Sequence, residues 1–331
     1  MGHFLRVAGL GIVAAGAMLI SLLVGGSYLS TGTIVFSLFH PSVHSDAASI
    51  IWQLRLPRMC IAAVVGAALG IAGAVLQGML RNPLVDPYLT GVSAGAAAAI
   101  AIAIAIGVAT PVLPGLGFAA GLATAVVVAA LARRGAGIDA QRLILAGVSL
   151  SALFSAIVAL MLTRLQQGGY AETIIAWLAG SLAGRGWHEL LAALPYTLTG
   201  LLLALGSVPA LNALRLGDVR AAALGVNLNR AQWMILSAAA MLTASAVSLS
   251  GIVGFIGLIV PHVARRAIGT DARYLIVGSL LLGAGLMALA DAVSRALLPP
   301  LEIPIGVLLA FIGVPTFLYL YLRSEPGGSW H

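Results

Sequence analysis

Residues 59–80 and 87–132 of this chain contain no Asp, Glu, Lys or Arg. Runs of that length fit poorly in a water-soluble fold, where about a quarter of residues are charged. Only 8% of the whole 331-residue chain is charged and 61% is hydrophobic, with a mean hydropathy of +1.08. Too little polar side chain exists to cover a water-facing surface. The chain therefore reads as an all-α integral membrane protein. Its forty glycines suit close approach of helices in lipid, and Gly66 with Gly70 forms a GxxxG pair best read as packing.

A helix needs about 20 residues to cross the hydrocarbon core, and the uncharged intervals divide accordingly. The stretch 7–45 holds one helix, to about Tyr28, followed by a polar outer loop over 30–46. A second helix fills 59–80. The interval 87–132 is broken by "PVLPGLG" into a third and a fourth. A fifth lies in 143–163 and a sixth in 190–208. The run between Arg230 and Arg265 is too long for one span and too short for two. It reads as a full seventh helix, a turn at "SLSG", and a short eighth over "IVGFIGLIVPH". The ninth and tenth occupy 274–298 and 303–322. Half-length helices such as the eighth are tolerated where protein or a water-filled cavity surrounds their ends. "YAETIIAWLAGSL" (170–182) is too short to span and is expected to lie at the surface. The expectation is about ten transmembrane helices with short half-helices, in a single domain over residues 1–331.

Ten spans place both termini on one side. If that side is the cytoplasm, Arg6, Arg81, Arg133, Arg134, Arg142, Arg215, Arg220, Arg230, Arg265, Arg266, Arg273 and Arg323 lie inside, and Arg55, Arg58, Arg164, Arg185 and Arg295 lie outside. The positive-inside rule selects this orientation. It also explains the net charge of +7 better than nucleic acid does, because the arginines sit at segment ends and form no stripe. All seventeen basic residues are Arg. Without a lysine the chain has no P-loop, so an ATP motor would have to be another polypeptide.

Several local patterns invite a chemical reading. The single cysteine, Cys60, lies in an apolar run and reads as a buried hydrophobe; it excludes an intrachain disulfide. His40, His44 and Asp46 in the first outer loop match no strong ligand spacing, so no metal site is expected. "GVSAG" fits the G-x-S-x-G elbow, but it opens a membrane helix rather than following a strand, so Ser93 reads as packing or capping. Gly73, Pro83 and Gly91 share the spacing of Gly251, Pro261 and Gly269, a faint hint of repetition. The inner loop "RNPLVDPYLTGVSAG" contains Pro83 and Pro87, which forbid a continuous helix; it fits a rigid gate or a plain tight turn equally well. Residues 209–230 form the longest polar–apolar loop, with Pro209 ending the sixth helix, Asp218 early in a short alanine-rich helix and Gly225 closing it. Two short helices with apolar tips suit a groove on a soluble partner or an amphipathic surface. Gly147, Ser151 and Ser155 recur every four residues on one face of the fifth helix. That face either packs a neighbour or lines a pathway for a bulky solute.

Taken together, "RNPLVDPYLTGVSAGA", "LRLGDVRAAALGV", "SGIVGFIGLIVPHVARR" and "LEIPIGVLLAFIGVPTFLYL", in this order across ten spans, resemble the permease subunits of ABC importers for iron chelates and vitamin B12. The likeness runs from Leu54 to Leu322. The resemblance implies a homodimer in the bacterial inner membrane, with two ATPase subunits below and a periplasmic binding protein delivering the substrate. No cofactor would be bound by this chain; ATP and Mg would sit on the partner ATPase. The resemblance assigns ATPase coupling to Leu216, Gly217, Asp218, Ala222 and Gly225 within 209–230, and a cytoplasmic gate to Asn82, Pro83 and Leu84. It assigns docking of the binding protein's acidic residues to Arg55, Arg58 and Arg295, where bidentate Arg–carboxylate pairs would orient the partner. The competing readings are that Asp291, four residues before Arg295, neutralises it, with Glu302 also close, or that Arg55 and Arg58 snorkel to lipid phosphates. The expected function is passage of a haem or siderophore iron chelate, with cobalamin as the alternative. An ion-coupled secondary transporter would need charged or polar groups at mid-membrane, and the spans hold almost none.

Overall fold

A computed structural model of the protein describes residues 2–25, 29–40, 45–135, 137–164, 170–299 and 301–323; His44 lies outside the described residues. The described chain is almost entirely helical. In order, the helices are α1 (Gly2–Leu23), α2 (Thr31–Phe39), α3 (Asp46–Ser49), α4 (Leu56–Leu80), α5 (Val92–Ala105), α6 (Leu113–Leu131), α7 (Ala140–Arg164), α8 (Tyr170–Ala179), α9 (Trp187–Gly206), α10 (Val208–Leu214), α11 (Asp218–Ala223), α12 (Leu228–Ser250), α13 (Ile256–Ile268), α14 (Ala272–Ala296) and α15 (Ile305–Arg323). A two-residue antiparallel ladder, Arg133–Arg134 with Gly137–Ile138, closes the connection from α6 to α7.

Ten of these helices correspond to the ten expected segments. Among the described residues, seven helical stretches are long and apolar enough to cross a membrane. Helix α5 and the apolar part of α15, Ile305–Tyr319, are shorter, and α13 has 13 residues. The ends sort as ten spans require. At the inner end His3 stacks on Tyr274 with ring centroids 4.6 Å apart, its Nδ1 lies 3.1 Å from the Ile268 carbonyl oxygen, and Arg81 pairs with Asp218 at 3.1 Å. At the other end Trp187 donates its indole N–H to the Trp52 carbonyl at 2.8 Å.

The spans arrange around a core of three. Within their apolar windows α12 is 78% buried, the stretch containing α4 72%, and α14 61%, against 17% for α7 and 22% for α1 and α9. Small residues cause this layering. A Cβ added to Gly66 would stand 2.0 Å from the Gly283 carbonyl oxygen of α14, and one on Gly73 would stand 1.8 Å from the Gly257 oxygen of α13. The backbones touch there, and no side chain larger than hydrogen fits. This gives the GxxxG pair its physical content: packing within the chain.

Several boundaries differ from expectation, each for a local reason. The outer loop contains α2, because Ser30 accepts the Thr33 amide at 3.1 Å and caps a helix that turns Ile34 and Ser37 inward. Ile50–Arg55 winds as a π-helix running straight into α4. Pro209 does not end the sixth helix. That helix stops at Gly206, and Pro209 stands in the first turn of α10, where its missing N–H costs nothing. The segment at 170–182 is not simply a surface piece. Helix α8 buries Ile174 in a cluster with Ala97, Ala101 and Val158 of α5 and α7. The faint repeat has no structural counterpart: Gly73 sits inside α4 while Gly251 ends α12 at φ +69°, and Pro83 stands in a turn while Pro261 lies within α13.

Candidate functional site

At the outer ends, two of the three arginines expected to receive a partner, Arg55 and Arg295, are buried. Arg55 is 6% exposed and donates from Nη1 to the carbonyls of Leu22 and Leu23 at 3.1 and 3.2 Å. Arg295, 8% exposed, donates from Nη1 to Val24 O at 2.6 Å and from Nη2 to Ser21 O at 2.8 Å. These carbonyls lie at the C-terminus of α1, where the last turn has no helical donors and the dipole is negative. Two guanidinium groups thus complete the end of α1. Arg58 donates from Nε to Asp291 at 2.8 Å and from both Nη atoms to Glu302 at 3.0 and 2.8 Å, a bidentate fork. Asp291 is fully buried and also meets Arg295 at 2.9 Å.

Burial takes Arg55 and Arg295 off the surface in this conformation. Arg58 remains nearest the rim, and its fork is filled by Glu302. Glu302 stands in the turn between α14 and α15, which is pinned by Ser294 Oγ donating to Ile303 O at 2.5 Å. Asp291 is the residue sequence reasoning undervalued. Its i,i+4 spacing to Arg295 is visible, but its bond to Arg58, 233 positions away, is not.

At the inner end, the loop from Arg81 to Gly91 is stitched to its surroundings. Arg81 ends α4 in the left-handed region at φ 50°. Asn82 Oδ1 accepts the Leu84 amide at 2.9 Å, and Thr90 Oγ1 donates to Pro87 O at 2.7 Å. Gln77 donates to Val85 O and to Gly257 O, both at 3.0 Å, and accepts from Arg265. The Tyr88 hydroxyl donates to Val253 O at 2.9 Å and accepts from Val253 N at 3.0 Å, satisfying the non-helical backbone ahead of α13. Asp86 Oδ1 accepts the Tyr88 amide at 2.9 Å; desolvation nevertheless pushes its carboxyl up to about 6, with that amide bond pulling the other way. Asn82 and Pro83 line a cleft, and Leu84 is 39% exposed.

Beside them lie the expected coupling residues. Leu216 is 53% exposed, and Val219 and Leu224 are 86% and 65% exposed, so α11 shows an apolar tip while Ala221 is buried beneath it. Gly217 and Gly225 bracket the helix at φ +98° and +85°, which glycine adopts readily. Asp218 heads α11, as expected, and binds Arg81. Ala222 lies exposed on α11.

The small face of α7 divides. A Cβ on Gly147 would stand 1.8 Å from Leu89 O, so Gly147 packs against the inner loop. Ser151 is half-buried and Ser155 exposed. Ser93 is buried in the first turn of α5. His40 stacks on Phe36 at 4.2 Å with its Nδ1 3.0 Å from Phe36 O. Among the described residues no group of three or more His, Cys, Asp or Glu is placed to hold a metal.

Comparison with known proteins now bears on this arrangement. Residues 12–323 match the FecCD transport family. The chain is 38% identical to the hemin transport system permease protein of Yersinia pestis over 93% of its own length and 94% of that protein's. It is 37% identical to an Fe(3+)-citrate import system permease protein of Bacillus subtilis, covering 91% and 90%. It is 40% identical to the cobalamin import system permease protein of Halobacterium salinarum over 63% and 55%. A solved ABC transporter described as of metal-chelate type, in an inward-facing conformation, superimposes with a TM-score of 0.86 at 34% identity, covering 96% of this chain and 98% of that one.

Proposed function

Because the chain belongs to the FecCD transport family, we propose that it imports an iron chelate, of the haem or ferric-carboxylate kind, across the bacterial inner membrane. It is a multi-pass permease subunit of an ABC importer, a transport component rather than a catalyst. What supports the iron-chelate reading is likeness along the whole chain to the hemin and ferric citrate permeases, which align over nine-tenths of both chains.

Two copies of the chain assemble with two ATPase subunits and one periplasmic binding protein. ATP and Mg sit on the ATPase. The apolar tip of α11, with Leu216, Gly217, Asp218, Ala222 and Gly225, rests in a groove of the ATPase. What supports this is the exposure of Val219 and Leu224 on a helix anchored by Ala221. Asn82, Pro83 and Leu84 form the inner gate. Docking of the binding protein centres on Arg58, with Glu302 as the internal carboxylate it must displace, while Arg55 and Arg295 hold the platform.

The test is to reconstitute the permease with its ATPase and binding protein and measure ATP hydrolysis with haem, ferric citrate, a ferric hydroxamate and cobalamin. Stimulation by an iron chelate is expected. Stimulation by cobalamin alone, or by none of the four, overturns the substrate reading.

A further inference from the structure

The chain leaves its helical course at Gly251–Phe255, between α12 and α13. Helix α13 has 13 residues, so it rises about 20 Å from its inner end and starts inside a hydrocarbon core about 30 Å thick. Irregular backbone at that depth must find its partners in protein. They come from both sides of the membrane. From the outer side, Ser181, just past α8, donates its amide to Ser250 O at 2.9 Å, and Ile305 at the start of α15 donates to Gly180 O at 2.9 Å. The three backbones touch: a Cβ on Gly306 would stand 2.5 Å from Ala179 O and 2.6 Å from Ile252 O. From the inner side, the loop after α4 sends Tyr88, whose hydroxyl donates to Val253 O at 2.9 Å and accepts from Val253 N at 3.0 Å. Inner loop and outer helix ends thus meet on one short stretch of chain.

Backbone strain marks the same two segments. Among the described residues, Arg81 at φ 50° and Phe255 at φ 69° are the non-glycine residues at positive φ. Arg81 opens the inner loop and Phe255 closes the break. A bulky residue holds such a conformation only where its surroundings over-determine it, and these positions cluster in parts that switch. The Phe255 ring fills the space beside Gly313 of α15, where no Cβ fits. Resting on the importer reading above, we infer that Tyr88 is a positioning residue for transport: it makes the break between α12 and α13 the joint that passes a shift of the inner loop to α8 and α15. Both hydroxyl bonds go to the backbone of one residue, so a moving loop draws Val253 with it. A ring contact alone would slide. Without the hydroxyl, the loop can answer the ATPase while the outer helix ends stay where they are.

The experiment is hydrogen–deuterium exchange on the permease with its ATPase in lipid nanodiscs, with and without MgATP trapped by vanadate. In the wild type, trapping is expected to change exchange in the inner loop and at the amides of Ser181, Val253 and Ile305 together. Tyr88→Phe keeps the ring and removes both bonds. Its inner loop should still respond, while the response at Ser181 and Ile305 falls by about twofold or more. A merely structural role would raise exchange equally with and without nucleotide and leave the responses unchanged. An outer response in Tyr88→Phe equal to that of the wild type overturns the inference. If the variant does not fold, the wild type alone decides: an inner loop that responds while Ser181, Val253 and Ile305 stay silent overturns it. Failure of the importer reading looks different, because the inner loop itself would then ignore the trapped nucleotide, and the inference would fall with it.

Discussion

Replacing Asp291 by Asn tests what joins the outer ends of α1, α4 and α14. The carboxylate is fully buried and faces two guanidinium groups, Arg58 at 2.8 Å and Arg295 at 2.9 Å. Asparagine preserves the shape and removes the charge, leaving two cations facing one another across a neutral amide. Breaking a buried pair by removing one partner costs about 3–5 kcal/mol. For a chain of this length each kcal/mol lowers Tm by roughly 2 °C, so the variant should unfold about 6–10 °C below wild type in a detergent thermal scan. Glu302→Gln is the internal control. It touches the same Arg58, but Glu302 is 37% exposed, and an exposed pair contributes about 1 kcal/mol or less. A loss of only about 2 °C is expected. The reasoning is refuted if Asp291→Asn melts within about 2 °C of wild type, or if Glu302→Gln costs as much.

Glu302→Gln also frees the fork of Arg58 and should tighten binding of the periplasmic protein, whereas Arg58→Gln should weaken it; unchanged affinity in both counts against Arg58 as the docking centre. Gly73→Val places a side chain where Gly257 O already stands 1.8 Å from a Cβ, and a loss of folded protein on size exclusion is expected, with Gly9→Val, whose Cβ meets nothing within 4 Å, as a position where crowding plays no part. Asp86 titrates in the fold at about 6 against an ordinary 3.8. Its stabilising contribution is thus complete below about pH 3.8 and is lost as pH rises through about 6, at most about 3 kcal/mol. Asp86→Asn keeps the acceptor for Tyr88 and should flatten that part of the Tm–pH profile; a variant whose profile follows wild type between pH 4 and 7 contradicts this. Joint substitution of Asp218 and Gly225 should release the ATPase in co-purification, and undiminished recovery would speak against α11 as the contact.

Span number and orientation are legible in the sequence because charge is excluded from hydrocarbon and arginine marks the inner ends. The short α13 is legible for the same reason, since the run from Arg230 to Arg265 does not divide into two spans. The roles of the outer arginines are not. Arg55 and Arg295 bind backbone carbonyls of α1, and every residue carries a carbonyl, so no letter marks those of Ser21, Leu22, Leu23 and Val24 as the acceptors. Gly147 shows the limit of spacing arguments. A small residue every four positions is equally consistent with a pathway and a close contact, and the choice depends on Leu89, which approaches from a loop 58 positions upstream. Ser30 and Pro209 carry conventional helix-start signals, obscured here because one lies in a polar stretch and the other follows a longer helix.

Gln77 has a consequence for how the inner end moves. One amide group joins the loop at Val85, the backbone of α13 at Gly257 and the guanidinium of Arg265. Swinging the loop as an independent flap would break these bonds together, and buried groups left without partners cost about 1–3 kcal/mol apiece. The inexpensive motion is a tilt of the whole block as a lever, so a crosslink from α4 to α13 should leave transport intact where one from α4 to a neighbouring block arrests it.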